Sequence, residues 1–458
     1  MSSRTTETLE PGGHAHEHVS DPKAVKDQIE HDIYASVGKP RPLFWIALAL
    51  SLGAVGIGAV CWAYQIYTGL GVAGITNPVG WGVYIVDFVF WVGIAHSGTL
   101  ISAILFLFRA KFRSKFNRAA EAMTVFAVLT AGLFPLVHLG RVWFFYWLFP
   151  YPNQRLLWIN FRSPLIWDVF AVSTYLTVSV VFWYIGLVPD IALARRLKQV
   201  KEGKIARVLY GIFSGGWSGS FREWQHYGQL YKYMAALAAP LVLSVHSVVS
   251  WDFAMGVVYG WHTTIFAPYF VAGAIFSGCA MVLTLVIPMR KIYRLEKYIS
   301  IDDLEKLAKL LMFTGLIVGY AYIIELALAV YSGNVYEYEQ FMYRMGGDYA
   351  WAYWTMMICN IGTPLLLFFR KLRRSIGFLF AISIPVNIGM WFERFNIIII
   401  SLAKDFDPYA FGLYTPSLIE LGITLGSFGW FFTYYLGFTK TLPVLSVTEL
   451  KEEVEHGH

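Results

Sequence analysis

The chain has 458 residues, of which 57% are hydrophobic and 14% are charged, and its formal net charge is +6 at pH 7. Soluble domains carry about 25% charged residues, so the composition excludes an ordinary soluble protein. Apolar runs long enough to cross a bilayer predict an all-α polytopic membrane protein. In such a protein the positive charge is expected to set the orientation in the membrane and not to bind nucleic acid.

Ten membrane-spanning helices are predicted between two polar tails, residues 1–42 and 441–458. Each run has about twenty apolar residues or more, whereas the strands of a membrane barrel give only weak segments of about ten residues. The tails are expected to be solvated, although their histidines leave metal binding as an alternative. The predicted spans are 43–66, 81–108, 119–147, 164–189, 228–251, 265–288, 308–332, 349–369, 375–400 and 413–436.

The loops between these spans differ sharply in positive charge. Loops 109–118, 190–227, 289–307 and 370–374 together hold 21 Lys and Arg residues, and the alternate loops hold four. Because basic loops stay on the cytoplasmic side, both termini are predicted to be cytoplasmic in a bacterial inner membrane.

An internal repeat relates the two halves of the chain. A shift of 180 residues aligns the Gly80–Trp81 pair with Gly260–Trp261, and the Ser97–Gly98 pair with Ser277–Gly278. Both copies run from the outer to the inner side, so the repeat is parallel, with its axis along the membrane normal. The alternative is chance similarity between glycine-bearing apolar helices.

The predicted divisions are the N-terminal tail (1–42), the first helix and outer loop (43–77), two four-helix bundles (78–251 and 252–400), the tenth helix (401–440) and the C-terminal tail (441–458).

Ionisable residues inside the predicted spans gather in the outer half of the membrane, where each charge costs about 2.5–3.5 kcal/mol on insertion scales. His138 and Arg141 are three residues apart, which would place them on one helix face. Snorkelling is an alternative for Asp87 and Asp252, which lie close to helix ends. It explains His138 and Asp168 less well, because neither side chain reaches far. The remaining intramembrane candidates are His96 (the deepest), His246, Glu325, Glu393 and Arg394.

Quinol oxidation is the chemistry that suits an imidazole and a carboxyl group at this depth. A quinol dissolves in the bilayer and gives up two protons with its two electrons. His138 is the predicted proton acceptor, and the carboxyl group of Asp168 is predicted to take the second proton or to orient the imidazole. Arg141, His246 and Trp167 are further candidates for contact with the quinol, although His246 also suits a hydrogen bond between helices.

The electrons then need an acceptor. A haem held by two of His96, His138 and His246 is an internal option that no residue spacing supports. The three cysteines form neither a CxxC nor a CxxCH motif, which argues against an iron–sulfur cluster, covalent haem or a metal site in this chain. An acceptor in a partner subunit on the outer face is the other option.

Three segments resemble the NrfD/polysulfide-reductase membrane-subunit family: NPVGWGVYIVDFVFWVGIAHSGTLISAILFLFR (77–109), PLVHLGR in span 3 and SPLIWDVFAVSTYL in span 4. The ten spans and SVHSVVSWDFAMG (244–256) are most similar to the larger quinol-binding subunit of bacterial alternative complex III. The resemblance implies a subunit without its own redox cofactor, with its quinone-site histidine at His138 and acidic partners at Asp168 and Asp252.

The same resemblance implies partners: an iron–sulfur protein docked outside, c-type cytochrome subunits or a terminal oxidase beyond it, and a second NrfD-like membrane subunit. Proton translocation would use His96, Glu325, Glu393 and Arg394. The last three of these otherwise suit a structural ion network. A secondary transporter and a membrane anchor without a redox role stay open as alternatives. Ubiquinol and menaquinol are not distinguished.

Overall fold

The computed structural model describes residues 22–37, 40–151, 160–197, 200, 203–406 and 410–455. Within these ranges the protein is built from helices, and eight of them are long and apolar enough to cross a membrane, which confirms the predicted all-α membrane fold. The main helices are α1 (Pro22–Tyr34), α2 (Pro42–Thr68), α3 (Val83–Thr99), α4 (Asn117–Ala131), α5 (Pro164–Ala194), α6 (Lys204–Phe213), α7 (Phe221–Ala254), α8 (Phe266–Ile292), α9 (Ile301–Tyr331), α10 (Val335–Gly346), α11 (Ala350–Met357), α12 (Ile376–Phe395), α13 (Leu418–Thr441) and α14 (Val447–Glu455).

The eight apolar helices are α2, α5, α7, α8 and α9, together with α3, α4 and α12 in lengthened form. The other two predicted spans fall on α11 and α13. Three helices continue into π-helical turns: α3 at Leu100–Ile104, α11 at Ile358–Gly362 and α12 at Asn396–Ile400. π-Helical turns are rare in proteins overall, but those that occur are frequently found at functional sites.

The predicted position of the outer end of the third span, residue 147, is wrong. After α4, a short helix covers Leu133–His138 and ends there, and Gly140 follows with a left-handed φ of 73°. Arg141 is extended, and a 3-10 helix then covers Val142–Leu148. Because the helix ends at His138, this histidine and Arg141 do not share a helix face, and His138 lies at the helix end rather than inside a span that continues to residue 147.

The two most deeply buried membrane helices are α3 and α8, which are the first helices of the two predicted repeats. They pack against each other at the centre of the bundle: a Cβ atom added to Gly278 on α8 would lie 2.0 Å from Ser97 Oγ on α3. The repeat-equivalent Trp81 and Trp261 stack with ring centroids 5.5 Å apart. Equivalent positions of the two predicted repeats are thus in contact at Trp81 and Trp261, while the repeat itself stays a prediction. The domain boundaries stay a prediction.

The first and last membrane helices, α2 and α13, form a pair at the side of this bundle. Their backbones approach through glycines, since a Cβ atom on Gly58 would lie 2.6 Å from the Gly426 Cα atom. Close approach through small residues is the usual way in which membrane helices associate, because lipid tails remove the hydrophobic driving force.

Parts of both polar tails are folded at the predicted cytoplasmic end, contrary to the expectation that the tails are solvated. Helix α1 contacts α14 through an ion pair between Lys451 and Glu30, whose atoms are 2.6 Å apart. Beneath them Arg118 is buried and contacts Asp190 at 2.7 Å and Glu121 at 3.2 Å. The tail histidines His14, His16 and His18 lie outside the described residues.

A larger side chain at Gly426 should separate α2 from α13. We expect Gly426→Leu to lower the free energy of unfolding by about 1–3 kcal/mol, the usual range for overpacking. The matched control is Gly437→Leu on the same helix, where an added Cβ atom meets nothing within 4 Å. Thermal unfolding of the detergent-purified protein measures both variants, and equal melting temperatures would contradict the glycine contact.

Candidate functional site

Two carboxyl groups meet at the outer end of the bundle. Asp168 lies in the second turn of α5 and is buried, and Asp252 lies two residues before the end of α7. Their side chains are within hydrogen-bonding reach of each other. Each also has one buried oxygen, Oδ1, without a hydrogen-bond partner among the described residues. Two carboxyl groups in contact repel each other when both are ionised, so a proton held between them stabilises the pair.

Tryptophans border this pair. Trp167 and Trp251 precede the two aspartates on their helices, and their rings pack edge to face with centroids 6.0 Å apart. The Trp167 indole donates a hydrogen bond to the Phe161 carbonyl oxygen at 2.6 Å, which fixes its ring. A cavity of about 300 Å³, lined in part by Trp251 and His262, opens beside them.

His138 lies at the same end of the bundle, because successive helices alternate in direction. The carbonyl oxygen of the preceding Val137 accepts a hydrogen bond from Gln65 Nε2 at 2.8 Å, and Tyr84 donates to Gln65 Oε1. These bonds hold the helix end in place. Among the described residues the buried His138 Nδ1 atom has no hydrogen-bond partner, and His138 makes no hydrogen bond to Asp168 or Asp252.

Arg141 is exposed just beyond the helix end. Its guanidinium carbon lies 5.9 Å from the ring centroid of Trp143, in an exposed group of aromatic side chains on the 3-10 helix. The left-handed Gly140 between them sends Arg141 outward. A contact between Arg141 and a ligand at His138 therefore stays a prediction.

A second polar group lies deeper, between the central helices. The rings of His96 and His246 have centroids 4.4 Å apart, and His96 also stacks on Tyr175 at 4.9 Å. A metal bound at about 2 Å by each of two imidazoles would hold the centroids about 6 Å apart, so this pair is too close for haem ligation. The Nδ1 atom of His96 donates to the Val92 carbonyl oxygen at 2.5 Å, while its Nε2 and both nitrogens of His246 have no partner among the described residues.

Arg394 lies between the two central helices. Cβ atoms added to the repeat-equivalent Gly93 on α3 and Gly273 on α8 would each lie 3.6 Å from Arg394 Nη2. The absence of side chains there makes room for the guanidinium, which also contacts Glu393 and lies over the ring of Phe270. The glycines of the repeat thus accommodate a buried charge.

The Glu393 carboxylate continues this polar group into the second repeat. Tyr322 donates a hydrogen bond to it, and Asn360 in the π-helical turn donates to the Tyr322 hydroxyl at 2.8 Å. Glu393 thus contacts both Arg394 and Tyr322, and a structural ion network stays the alternative role predicted for this pair.

Glu325 does not join that network in the described contacts and instead faces Arg344 on α10. Burial lowers the pKa of the Arg344 guanidinium, and the Glu325 carboxylate opposes this shift. Arg344 donates to the Gly260 carbonyl oxygen at 3.2 Å and to Ser401 Oγ at 2.8 Å. This set ties the outer loop of the second repeat to α12.

Snorkelling does not account for Asp87, which is fully buried on α3. Its carboxylate accepts hydrogen bonds from Trp391 Nε1 at 2.8 Å and Thr424 Oγ1 at 2.6 Å. Sequence reasoning also missed Tyr175, whose hydroxyl lies 2.8 Å from Thr99 Oγ1. A tyrosine within a tyrosine-rich membrane chain gives no signal for such a contact.

The model of the family described as polysulphide reductase, NrfD, matches residues 71–404, which is most of the chain. The protein belongs to the NrfD family. The match covers every candidate site residue named above.

Three curated proteins are similar to this NrfD-family chain over most of their length. One from Halobacterium salinarum, described provisionally as a membrane subunit of dimethyl sulfoxide reductase, is 27% identical over 404 residues, 83% of this chain and 87% of the relative. The Hdr-like menaquinol oxidoreductase integral membrane subunit of Archaeoglobus fulgidus is 22% identical over 336 residues, 70% of each chain. A selenate reductase subunit of Mesobacillus selenatarsenatis is 23% identical over 424 residues, 88% of this chain and 94% of the relative.

The buried Glu393–Arg394 contact gives a prediction about stability. We expect Arg394→Leu to lower the free energy of unfolding by about 3–5 kcal/mol, because it leaves the Glu393 carboxylate buried without its cation. The double variant Glu393→Gln/Arg394→Leu should lose less than Arg394→Leu alone. Thermal unfolding of the three proteins, with Glu393→Gln as the other single variant, measures the coupling. Additive losses would show that the two side chains do not depend on each other.

Proposed function

We propose that the protein is the quinol-binding and quinol-oxidising membrane subunit of a respiratory oxidoreductase. The observation that carries the proposal is the contact between Asp168 and Asp252 at the predicted outer end of the bundle, with an unpartnered buried oxygen on each. Buried polar atoms without partners are rare, so they mark places where a ligand or water completes the hydrogen bonding.

The proposed chemistry follows from these atoms. Oxidation of one quinol releases two protons and two electrons and leaves the quinone. The unpartnered Nδ1 atom of His138 is a suitable acceptor for one hydroxyl proton, since neutral imidazole is the usual biological base near neutral pH. The Asp168–Asp252 pair accepts the other. Trp167 offers the flat face against which a quinol ring stacks, and Arg141 and His246 are assigned supporting roles.

The two electrons pass, in this proposal, to an iron–sulfur protein docked on the outer face, since the family resemblance implies a subunit without its own redox cofactor. From there they continue to c-type cytochrome subunits, or to a terminal oxidase. A second NrfD-like subunit beside this one completes the proposed assembly, which is most like alternative complex III. The Archaeoglobus relative, named as part of a menaquinol oxidoreductase, supports the choice of a quinol, and menaquinol or ubiquinol would serve equally.

Proton translocation is a further part of the proposal. His96, His246 and Arg394 form a buried series across the centre of the bundle, since His246 and Arg394 both lie within 4 Å of the Cβ position of Gly93. Glu393 continues the series, and Glu325 would serve as a separate group near the outer side. Protons exchanged along such a series would couple the quinol site to the cytoplasmic side of the inner membrane.

A secondary transporter is the second candidate, and the parallel repeat and the buried Arg394 favour it. Transporters usually hold their substrate near the midplane between interrupted helices. Asp168 and Asp252 instead lie close to helix ends, which supports the redox function. A membrane anchor without a redox role would leave the unpartnered carboxyl oxygens unexplained.

Neutralising the carboxyl pair tests the proposal. We expect His138→Ala and Asp168→Asn to lower kcat for quinol oxidation by the purified complex by about 10²-fold or more, the usual contribution of general base catalysis. Asp252→Asn should have a similar effect. The matched control is Asp348→Asn, at the repeat-equivalent position on the outer face, where the carboxylate accepts a hydrogen bond from Tyr343 at 3.1 Å.

Assembly of each variant complex is verified by the recovery of its partner subunits and their haem absorbance. Normal quinol oxidation by assembled His138→Ala and Asp168→Asn complexes would refute the proposed role of these residues. Loss of a transported solute with intact quinol oxidation would favour the transporter.

A further inference from the structure

An apolar slot of about 150 Å³ lies between the α2–α13 pair and the helix that ends at His138. Its walls come from three helices: residues 55–62 of α2, residues 133–137 and residues 423–430 of α13. The lining is apolar apart from Ser427 and two indole nitrogens. The Ser427 hydroxyl is already engaged, since it accepts from Trp91 Nε1 at 3.0 Å and donates to the Thr424 carbonyl oxygen at 2.8 Å.

The slot begins immediately beside the candidate proton acceptor. Val137, which directly precedes His138, lines its outer end, and Phe134 and Leu133 continue the wall inward along the same helix. On α2 the lining residues Val55 and Trp62 lie 6 to 13 positions before the end of the helix at Thr68. The slot therefore runs from the level of His138 toward the membrane interior.

One side of the slot is open. Ala59 lines it and is exposed, as is most of α2, so a molecule dissolved in the bilayer can enter sideways. The close approach of Gly58 to Gly426 closes the opposite side, because neither residue has a side chain to fill the space. The shape suits a narrow chain rather than a second ring system.

Two tryptophans in the slot have unsatisfied donors. The Nε1 atoms of Trp62 and Trp430 are buried and have no hydrogen-bond partner among the described residues. A saturated acyl chain offers these N–H groups nothing, whereas the double bonds of an isoprenoid chain provide π electrons that accept weak hydrogen bonds. The indole N–H groups of Trp62 and Trp430 therefore favour an isoprenoid chain over a saturated acyl chain, although both chains are apolar.

We infer that this slot binds the isoprenoid tail of the quinone or quinol and directs its head group toward His138. The inference rests on the proposed function and adds the site at which the tail is held. Transfer from lipid to the slot gives little hydrophobic free energy, because both surroundings are apolar. The fit of the chain and the weak contacts with the indoles determine the binding, and the result is orientation of the head group rather than high affinity.

Filling the slot tests the inference. Ala59→Phe places a ring in the slot, and Val60→Phe on the same helix is the matched control, because Val60 is 71% exposed and does not line the slot. Two readouts on the complex purified from membranes apply: the molar ratio of co-purified quinone by mass spectrometry, and kcat/KM for quinols with long and short tails.

We expect Ala59→Phe to lower quinone retention and to reduce kcat/KM for the long-tailed quinol by about tenfold, a change of about 1.4 kcal/mol. The short-tailed analogue should react at the rate of the unmodified complex, and Val60→Phe should match the unmodified complex in both readouts. Equal quinone retention in the two variants would overturn the inference. Loss of phospholipid instead of quinone from Ala59→Phe would overturn the choice of an isoprenoid occupant.

The retention readout separates this inference from the proposed function. If Ala59→Phe loses quinone while the His138→Ala complex oxidises quinol normally, the slot stands and the catalytic assignment fails. If His138→Ala is inactive but Ala59→Phe behaves like Val60→Phe, the catalytic assignment stands and the tail site is wrong.

Discussion

The arrangement of this protein depends on one constraint: a polar group inside a bilayer must find its partners within the protein, because the lipid supplies none. At the contact between the two repeats this constraint is met by charge, since Arg394 lies beside Glu393, while its guanidinium nitrogens have no hydrogen-bond partner among the described residues. Glycines at equivalent positions, Gly93 and Gly273, leave room for the Arg394 guanidinium between the central helices, and Glu393 supplies the opposite charge. The buried Arg394 guanidinium therefore lies against helices of both predicted repeats.

The two ends of the bundle meet the same constraint differently. At the predicted cytoplasmic end, Asp190 accepts hydrogen bonds from Arg118 at 2.7 Å and Thr448 at 2.9 Å, so a buried carboxylate is matched by a cation and by a folded terminal helix. At the other end, Asp168 and Asp252 face each other without a cation in the described contacts. A like-charged pair is costly as a structural element. The free-energy cost of the Asp168–Asp252 pair has a reason if the pair exchanges a proton with a substrate. The end of the bundle that contains Asp190 then serves mainly stability and assembly.

Much of this could be predicted from the sequence, and the failures have physical causes. The all-helical membrane fold follows from hydropathy, because a membrane helix is defined by composition over many residues, although ten spans are predicted and eight of the described helices are long and apolar enough to cross a membrane. The contact between Asp168 and Asp252 could not be predicted, since it depends on how α5 and α7 cross. The end of the helix at His138 was missed because the aromatic run beyond it is as apolar as a membrane span, and a single left-handed glycine decides where the helix ends.

The most direct test of the account is a cryo-electron microscopy map of the native complex with bound quinol or a quinol analogue. The account predicts density for the head group at the outer end, within hydrogen-bonding distance of His138 or of the Asp168–Asp252 pair. Density for the head group at the opposite end would contradict it, for example in the cavity of about 640 Å³ beside Arg113 and Tyr231.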